Sequence, residues 1–483
     1  MFENNDQDTQ IPITDDNCSD NEKLINDKIN IDQLKIRIND LENKKEKFKN
    51  NSEDFLLLTK EEKNYHFFIF FILGLSTNLT TNSYFGCLDS FQFFLSKYSK
   101  IPVQIYLPSI SCSMIIILLF FMYIKISINP TAVIFICLFG TIINFIISPL
   151  ILIYVKKNIV LIICFQYLIH IIFDTLYEFS LREFSFIFPI DLITKFTVGQ
   201  GVAGICIYIV QILIKIFCII VFKKNLSLIS ISTIFGFVAF IFLVIILLFI
   251  FYLNNKFYKN RAQQYLDIQN EENTLNGEIE KNKEINSILH KEEHNNFIDI
   301  IKQSWHLNLS LFITSLITYS CFPGIILYSS FFGISYIFKP CILCLIFKIL
   351  DVVGRQIPKI NCFNTVNEIL YYVLCYSRIL LIPFLILDFY IDEKLRNRFY
   401  SFVFLLLLII FSMTNGICAA MGTTLSMMKI NNEKYRGKIG AVNAFFNLAG
   451  ITIGVIFSFL ISYFVLIVAP SKRKIDFTTN QVI

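Results

Sequence analysis

From position 66 onward the chain repeats one pattern: long apolar runs separated by short polar breaks. A helix rises about 1.5 Å per residue, so a run of about 20 apolar residues crosses the hydrocarbon of a bilayer. Runs of that kind predict eleven helices, at 66–89, 102–128, 131–154, 158–181, 195–222, 228–253, 305–332, 335–358, 367–390, 399–427 and 437–469. The longest internal polar segment, 254–304, carries Lys, Glu and Asn throughout and divides the helices into six and five. Carriers made of two helical bundles are divided in this way. The expected fold is an all-α polytopic membrane protein with a 6+5 arrangement. Residues 1–65 form a polar tail, 66–253 a six-helix bundle, 254–304 a charged loop, 305–469 a five-helix bundle, and 470–483 a second tail. Residues 1–20 are rich in Asn and Asp and read as disordered. Leu24, Ile31, Leu34, Ile38 and Leu41 then fall on heptad-like spacings, the pattern of a short amphipathic helix capable of weak self-association; the alternative is a mobile tail.

Composition agrees with a bilayer as solvent. Hydrophobic residues make up 55% and charged residues 16%, against about a quarter charged in soluble domains. There are 52 Phe and a single Trp, and mean hydropathy is +0.61. The net charge of +5 is small and dispersed, which gives no support to nucleic-acid binding. Cys112, Cys137, Cys164 and Cys218 sit inside apolar runs and read as small hydrophobes. The polar start argues against a cleavable leader, so the first span acts as the targeting signal. Lys and Arg near the span ends are almost evenly shared between the two sides, with Lys60, Lys125, Arg182 and Lys256 on the side of the N-terminus. Charge therefore does not fix orientation, although eleven spans put the termini on opposite sides.

Charged residues inside spans are expensive, at roughly 2.5–3.5 kcal/mol each on insertion scales, and belong in the bundle interior beside partners. Asp351 and Arg355 lie four residues apart in the eighth span, on one helix face with opposite charges. A substrate-site or gating pair and a purely structural ion pair are equally compatible with that spacing. His170, Asp174 and Glu178, at i, i+4 and i+8, make a stripe on the fourth span. They fit a substrate-binding or proton-linked stripe, an interfacial helix end, or part of a metal site. Gly199, Gly201 and Gly204 in the fifth span, and Gly450 and Gly454 in the eleventh, are small residues that let helices approach closely. The run from Gly199 to Gly204 also fits G-x-G-x-x-G, but no strand–turn–helix context surrounds it.

Taken in order, these segments resemble the equilibrative nucleoside transporter family. Phe196-Thr197-Val198-Gly199-Gln200-Gly201-Val202-Ala203-Gly204 is similar to that family's fifth-helix signature. Asp351-x-x-Gly354-Arg355 resembles its eighth-helix motif, Phe322-Pro323 its seventh, Arg378 to Pro383 its ninth and Asn415-Gly416 its tenth. Ala444-Phe445-Phe446, with Gly454 and Phe457-Ser458-Phe459-Leu460, resembles the eleventh. The likeness spans 66–465 and points to a protist-type member. It implies a major-facilitator-like architecture, a cytosolic N-terminus and central loop, an extracellular C-terminus, and alternating access for nucleosides or nucleobases. It also implies ribose contacts by Asp351 and Arg355.

Two departures bear on the substrate. Where the family commonly has Pro-Trp-Asn in the first helix, this chain has Thr80-Thr81-Asn82, which keeps only the Asn. Glu178 stands where many members carry a Gln that reads the base; an ionised Glu only accepts. These changes suit a ligand with extra donors, a cationic ligand, or proton-coupled uptake through Glu178. The expected substrate-binding set is Asn82, Glu178, Asp351 and Arg355, with Asp174 and Gln200. No cofactor and no covalent chemistry are called for, so the chain reads as a purine carrier in the plasma membrane rather than an enzyme. The rivals are a carrier of the same fold for a cationic solute, an intramembrane metalloenzyme using His170, Asp174 and Glu178, and a channel; no pore-loop motif supports the last.

Overall fold

The computed structural model describes residues 58–87, 130–155, 157–186, 188–222, 227–260, 304–322, 338–359, 368–390, 398–428 and 436–468. It adds isolated positions between Ile36 and Leu41, at Phe55, Ser90, Phe91, Ile116, Leu119 and Phe120, and between Gln263 and Thr274. The predicted second span lies outside these residues apart from Ile116, Leu119 and Phe120, which are helical. Most of the polar tail, most of the central loop and all of 470–483 also lie outside them. Residues 54–259 with 295–483 group as one compact unit, the helical bundle; 1–53 with 260–294 group as another.

The described bundle is helical throughout. Its helices are α1 (Lys60–Gly86), α2 (Pro130–Tyr154), α3 (Ile159–Phe186), α4 (Ile190–Phe222), α5 (Ser227–Leu253), α6 (304–321) and α7 (Lys339–Gln356). There follow α8 (Glu368–Ser377), α9 (Leu381–Tyr390), α10 (Arg398–Met428) and α11 (Arg436–Val468). Among the described residues seven spans are long and apolar enough to cross a membrane: α2, α3, α4, α5, α8 together with α9, α10 and α11. Neither α1 nor α7 is among them, and the reason is polar content: α7 carries Lys339, Lys348, Asp351 and Arg355 in 18 residues.

Two boundaries differ from the sequence reading. α1 begins at Lys60, six residues before the apolar run, because Thr59 and Glu62 form a capping box. The Glu62 backbone N–H donates to Thr59 Oγ1 at 3.3 Å, and the Thr59 N–H donates to Glu62 Oε2 at 2.9 Å. The Thr59 N–H and the Thr59 hydroxyl, both donating to Oε2, hold the Glu62 carboxyl below its usual range. The predicted ninth span is also not continuous. α8 gives way to a 3₁₀ turn at Arg378–Leu380 before α9 resumes. Pro383 is the cause, since its ring clashes with the carbonyl four residues back and it has no N–H to give.

Close backbone crossings lock the helices in pairs. α1 and α4 pack along their length, and they meet at Gly74 and Gly199, where a Cβ on either would overlap the other helix's carbonyl oxygen, that of Phe196 or Phe71. α7 and α10 repeat the arrangement with Gly354 and Gly416, against the carbonyls of Met413 and Asp351. The core of α1–α5 is aromatic, with Phe70, Phe145, Phe235, Phe242 and Phe249 fully buried. A second core gathers Phe322, Phe347, Leu408 and Phe411 around Tyr208, which α4 contributes. Outside, Ile136, Phe139, Ile143, Ile147 and Leu150 run as an exposed stripe along α2. So continuous an apolar face is at home only in lipid.

Candidate functional site

The polar side chains of the bundle converge where α4 meets α7. α7 packs on both α4 and α10, and α11 packs on α3. Between them is a small cavity of about 60 Å³, lined from the N-terminal side of the chain by Asn78, Arg182 and Gln200 and from the C-terminal side by Lys348, Asp351 and Arg355 among others.

The spacing rule for Asp351 and Arg355 holds. Arg355 Nε donates to Asp351 Oδ2 at 3.0 Å, and both side chains line the cavity. Asp351 is 1% exposed, so its carboxylate needs further donors, and Asn415 Nδ2 supplies one to Oδ1 at 2.7 Å. Arg355 Nη1 reaches across to the Thr197 carbonyl of α4 at 3.1 Å, which ties the two halves together at the cavity floor. Asn415 turns its oxygen the other way, accepting from Thr318 Oγ1 at 2.6 Å and Arg378 Nη1 at 3.3 Å. Arg378, 1% exposed, also donates to the carbonyls of Thr314 and Phe411 and to Thr318 Oγ1, with its guanidinium 4.8 Å from the Phe411 ring centre. The 3₁₀ turn places it there. A chain of hydrogen bonds therefore runs Arg378, Asn415, Asp351, Arg355, and its last three members line the cavity.

On the other side Gln200 lines the cavity and donates from Nε2 to Thr77 Oγ1 at 3.1 Å. Its backbone carbonyl accepts from Asn78 Nδ2 at 3.0 Å. Asn78, not Asn82, is the first-helix amide at the cavity; Asn82 sits one turn along, buried, donating to the Asn78 carbonyl at 2.6 Å.

The His170, Asp174, Glu178 stripe divides into three surroundings. His170 is buried among Tyr84, Phe145 and Tyr167, with no hydrogen-bond partner on either ring nitrogen among the described residues. Asp174, partly buried, accepts from the hydroxyls of Thr80 and Thr81. Glu178 Oε1 accepts from Arg182 Nη2 at 2.7 Å and Nε at 3.0 Å, and both side chains are 6% exposed. α3 runs on to Phe186, and Arg182 faces the cavity with Glu178 behind it. Sequence reasoning also passed over Lys348, Asn415 and Arg378 as site residues. Lys348 and Arg378 are charges within spans, so the insertion-cost argument used for Asp351 would have found them.

The nucleoside transporter family model matches residues 158–463. No curated protein matches the chain. Among solved structures it is similar to a D-xylose–proton symporter, with TM-score 0.57 at 12% identity over 82% of this chain and 89% of that one. It is similar to the partially occluded inward-open xylose transporter XylE from E. coli, with TM-score 0.53 at 11% identity over 87% and 99%. A third is FucP of the major facilitator superfamily in its outward conformation, with TM-score 0.50 at 13% identity over 84% and 98%. At such identities the likeness is one of fold.

Proposed function

This chain belongs to the nucleoside transporter family, and from that premise we propose how it moves its substrate: by alternating access of the cavity between α4 and α7, with Asp351 and Arg355 holding the ribose hydroxyls. It is an integral membrane carrier of nucleosides with a major-facilitator-like fold. Our reading adds the eleven spans divided six and five, the domain boundaries given above, a cytosolic N-terminus and central loop, and purine uptake at the plasma membrane. One observation carries it: a buried carboxylate–guanidinium pair opens on a polar cavity and joins α7 to α4 through Thr197. A pair that served only to neutralise itself would not need that placement.

Within this reading Gln200 contacts substrate, together with Asn78. Asn82 and Glu178 act from behind, Asn82 on the backbone that carries Asn78 and Glu178 on Arg182. The charge of the walls speaks against the cationic-solute rival. Arg182, Lys348 and Arg355 face the cavity, and their counter-charges are Asp351 and, behind Arg182, Glu178. Cations are in excess.

A second reading concerns coupling. Glu178 is held by Arg182, whereas Asp174 has only hydroxyl donors and, among the described residues, no Lys or Arg within ion-pair distance. If uptake is proton-linked, Asp174 is the better carrier of that proton. His170, Tyr177 and Glu178 on its own helix, Tyr84 on α1 and Cys137 on α2 are the titratable groups around it.

The test is uptake of adenosine, inosine and hypoxanthine by cells lacking their own carriers, with and without a pH gradient. Saturable uptake that fails in Asp351→Asn supports the site. Uptake that survives that change undiminished removes it. A gradient response lost in Asp174→Asn but kept in Glu178→Gln supports the coupling reading, and the opposite pattern returns the role to Glu178.

A further inference from the structure

Lys348 is the cavity cation that the network above does not use. It is 7% exposed and lies three residues before Asp351, on the same face of α7. Its ammonium makes no ion pair or hydrogen bond among the described residues, yet the side chain lines the cavity. It is held from two sides. The stem lies against Gly204 of α4, where a Cβ would come within 2.7 Å of Lys348 Cγ and Cδ. The ammonium lies 5.6 Å from the ring centre of Phe322 and 5.9 Å from that of Phe347, and those two rings stack 4.2 Å apart. The same glycine that permits close packing thus keeps the lysine's path open, and the aromatic pair attracts its charge at the end of that path.

An ammonium has three donors and no acceptor. Largely buried and with no acceptor among the described residues, it gains most from a ligand that supplies one. A ligand amino group in the same position would set donor against donor. Phe347 also lines the cavity beside it and offers a flat apolar wall. Asp351 and Arg355, one turn along α7, offer the mixed donors and acceptors that sugar hydroxyls need. The base end and the sugar end of a nucleoside therefore have different partners on one helix.

We propose that Lys348 is a specificity-determining residue, selecting nucleosides whose base presents a carbonyl oxygen, such as 6-oxopurines, over those that present an amino group. The inference rests on the transport reading above and goes beyond it by naming the substrate class and the residue that chooses it. It also reverses the leaning of the sequence, in which Glu178 in place of Gln favoured donor-rich ligands. Arg182 covers that carboxylate, and Lys348 asks for acceptors.

The experiment compares KM for inosine and for adenosine in cells expressing wild type, Lys348→Met or Lys348→Arg, with uptake normalised to surface protein. A charge-assisted hydrogen bond corresponds to roughly ten- to a hundredfold in affinity. Lys348→Met should raise the KM for inosine by about tenfold or more and leave that for adenosine within about threefold, and Lys348→Arg should retain most of the preference. A ratio of the two KM values that does not change in Lys348→Met overturns the inference, whatever happens to overall uptake. Should Lys348→Met fail to reach the surface, the unaltered protein decides: purine riboside, which lacks the 6-oxo group, should compete at least about tenfold more weakly than inosine, and equal competition overturns the inference. A wild-type chain that moves no nucleoside overturns the transport reading and this inference together. A chain that moves them without regard to the 6-oxo group overturns only this one.

Discussion

Two carboxylate–arginine pairs of identical spacing, Glu178–Arg182 and Asp351–Arg355, stand among the described residues, and they are wired differently. Glu178–Arg182 on α3 is self-contained: two guanidinium N–H groups donate to one carboxylate oxygen. Asp351–Arg355 on α7 is a junction. Asp351 also accepts from Asn415, which in turn accepts from Arg378, and Arg355 reaches the α4 backbone. The first pair fixes one side chain at the cavity wall; the second fixes α4, α7 and α10 against one another. A gap of four residues states that two charges share a helix face. It does not state what else they hold.

The largest expected effect comes from cutting the junction. Asp351→Ala leaves Arg355 without its carboxylate, Asn415 without its acceptor and Lys348 without its nearest described counter-charge. Removing one partner of a buried pair costs about 3–5 kcal/mol. Nucleoside uptake should be lost, and thermal unfolding of the purified carrier should occur at clearly lower temperature. Glu178→Gln should cost less, about 1–2 kcal/mol, because Gln still accepts a hydrogen bond and Arg182 opens on the cavity. Equal losses in the two variants, measured side by side, would erase the distinction between pair and junction.

Charge exchange sharpens the same contrast. A self-contained pair should tolerate reversal, so Glu178→Arg with Arg182→Glu should keep uptake within about threefold of wild type, while each single change loses more. The junction should not. Asp351→Arg with Arg355→Asp would aim a guanidinium at the Asn415 amide and a carboxylate at the Thr197 carbonyl, and uptake should stay below about a tenth. Rescue of the α7 exchange would show that only the net charge of that helix matters.

How much of this was legible in the sequence follows from the length scale of each signal. Apolar runs are long, and the helix ends of α2, α5, α10 and α11 fall within about a residue of the predicted spans. The start of α1 was misplaced because hydropathy cannot register a capping box, although Thr59-x-x-Glu62 spells one. The break at Arg378–Leu380 was missed because Pro383 was read as part of a family motif and not as a helix breaker. Arg182 was assigned to the membrane edge because α3 was ended at 181. The i, i+4 rule that singled out Asp351 and Arg355 applies equally to Glu178 and Arg182, and would have corrected that boundary. The choice of Asn78 over Asn82 had no such signal, since it depends on how α1 is rotated against α4.

The smallest effects test the backbone crossings beneath both pairs. Gly199→Ala and Gly416→Ala each put a methyl group into a facing carbonyl, those of Phe71 and Asp351. Neither neighbour can swing aside as a side chain could, so the helices must separate, at about 1–3 kcal/mol. Gly416→Ala should also reduce uptake, because the carbonyl it displaces belongs to Asp351; Gly199→Ala should reduce stability more than substrate affinity. Gly236 is the control. A Cβ there meets nothing within 4 Å, on an exposed face of α5. Gly236→Ala should leave uptake unchanged and raise the unfolding temperature slightly if it changes it at all, since Ala is the better helix former by up to about 1 kcal/mol. A destabilised Gly236→Ala would mean that glycine resists replacement throughout this bundle, whether or not a facing carbonyl stands in the way as it does at Gly74–Gly199 and Gly354–Gly416.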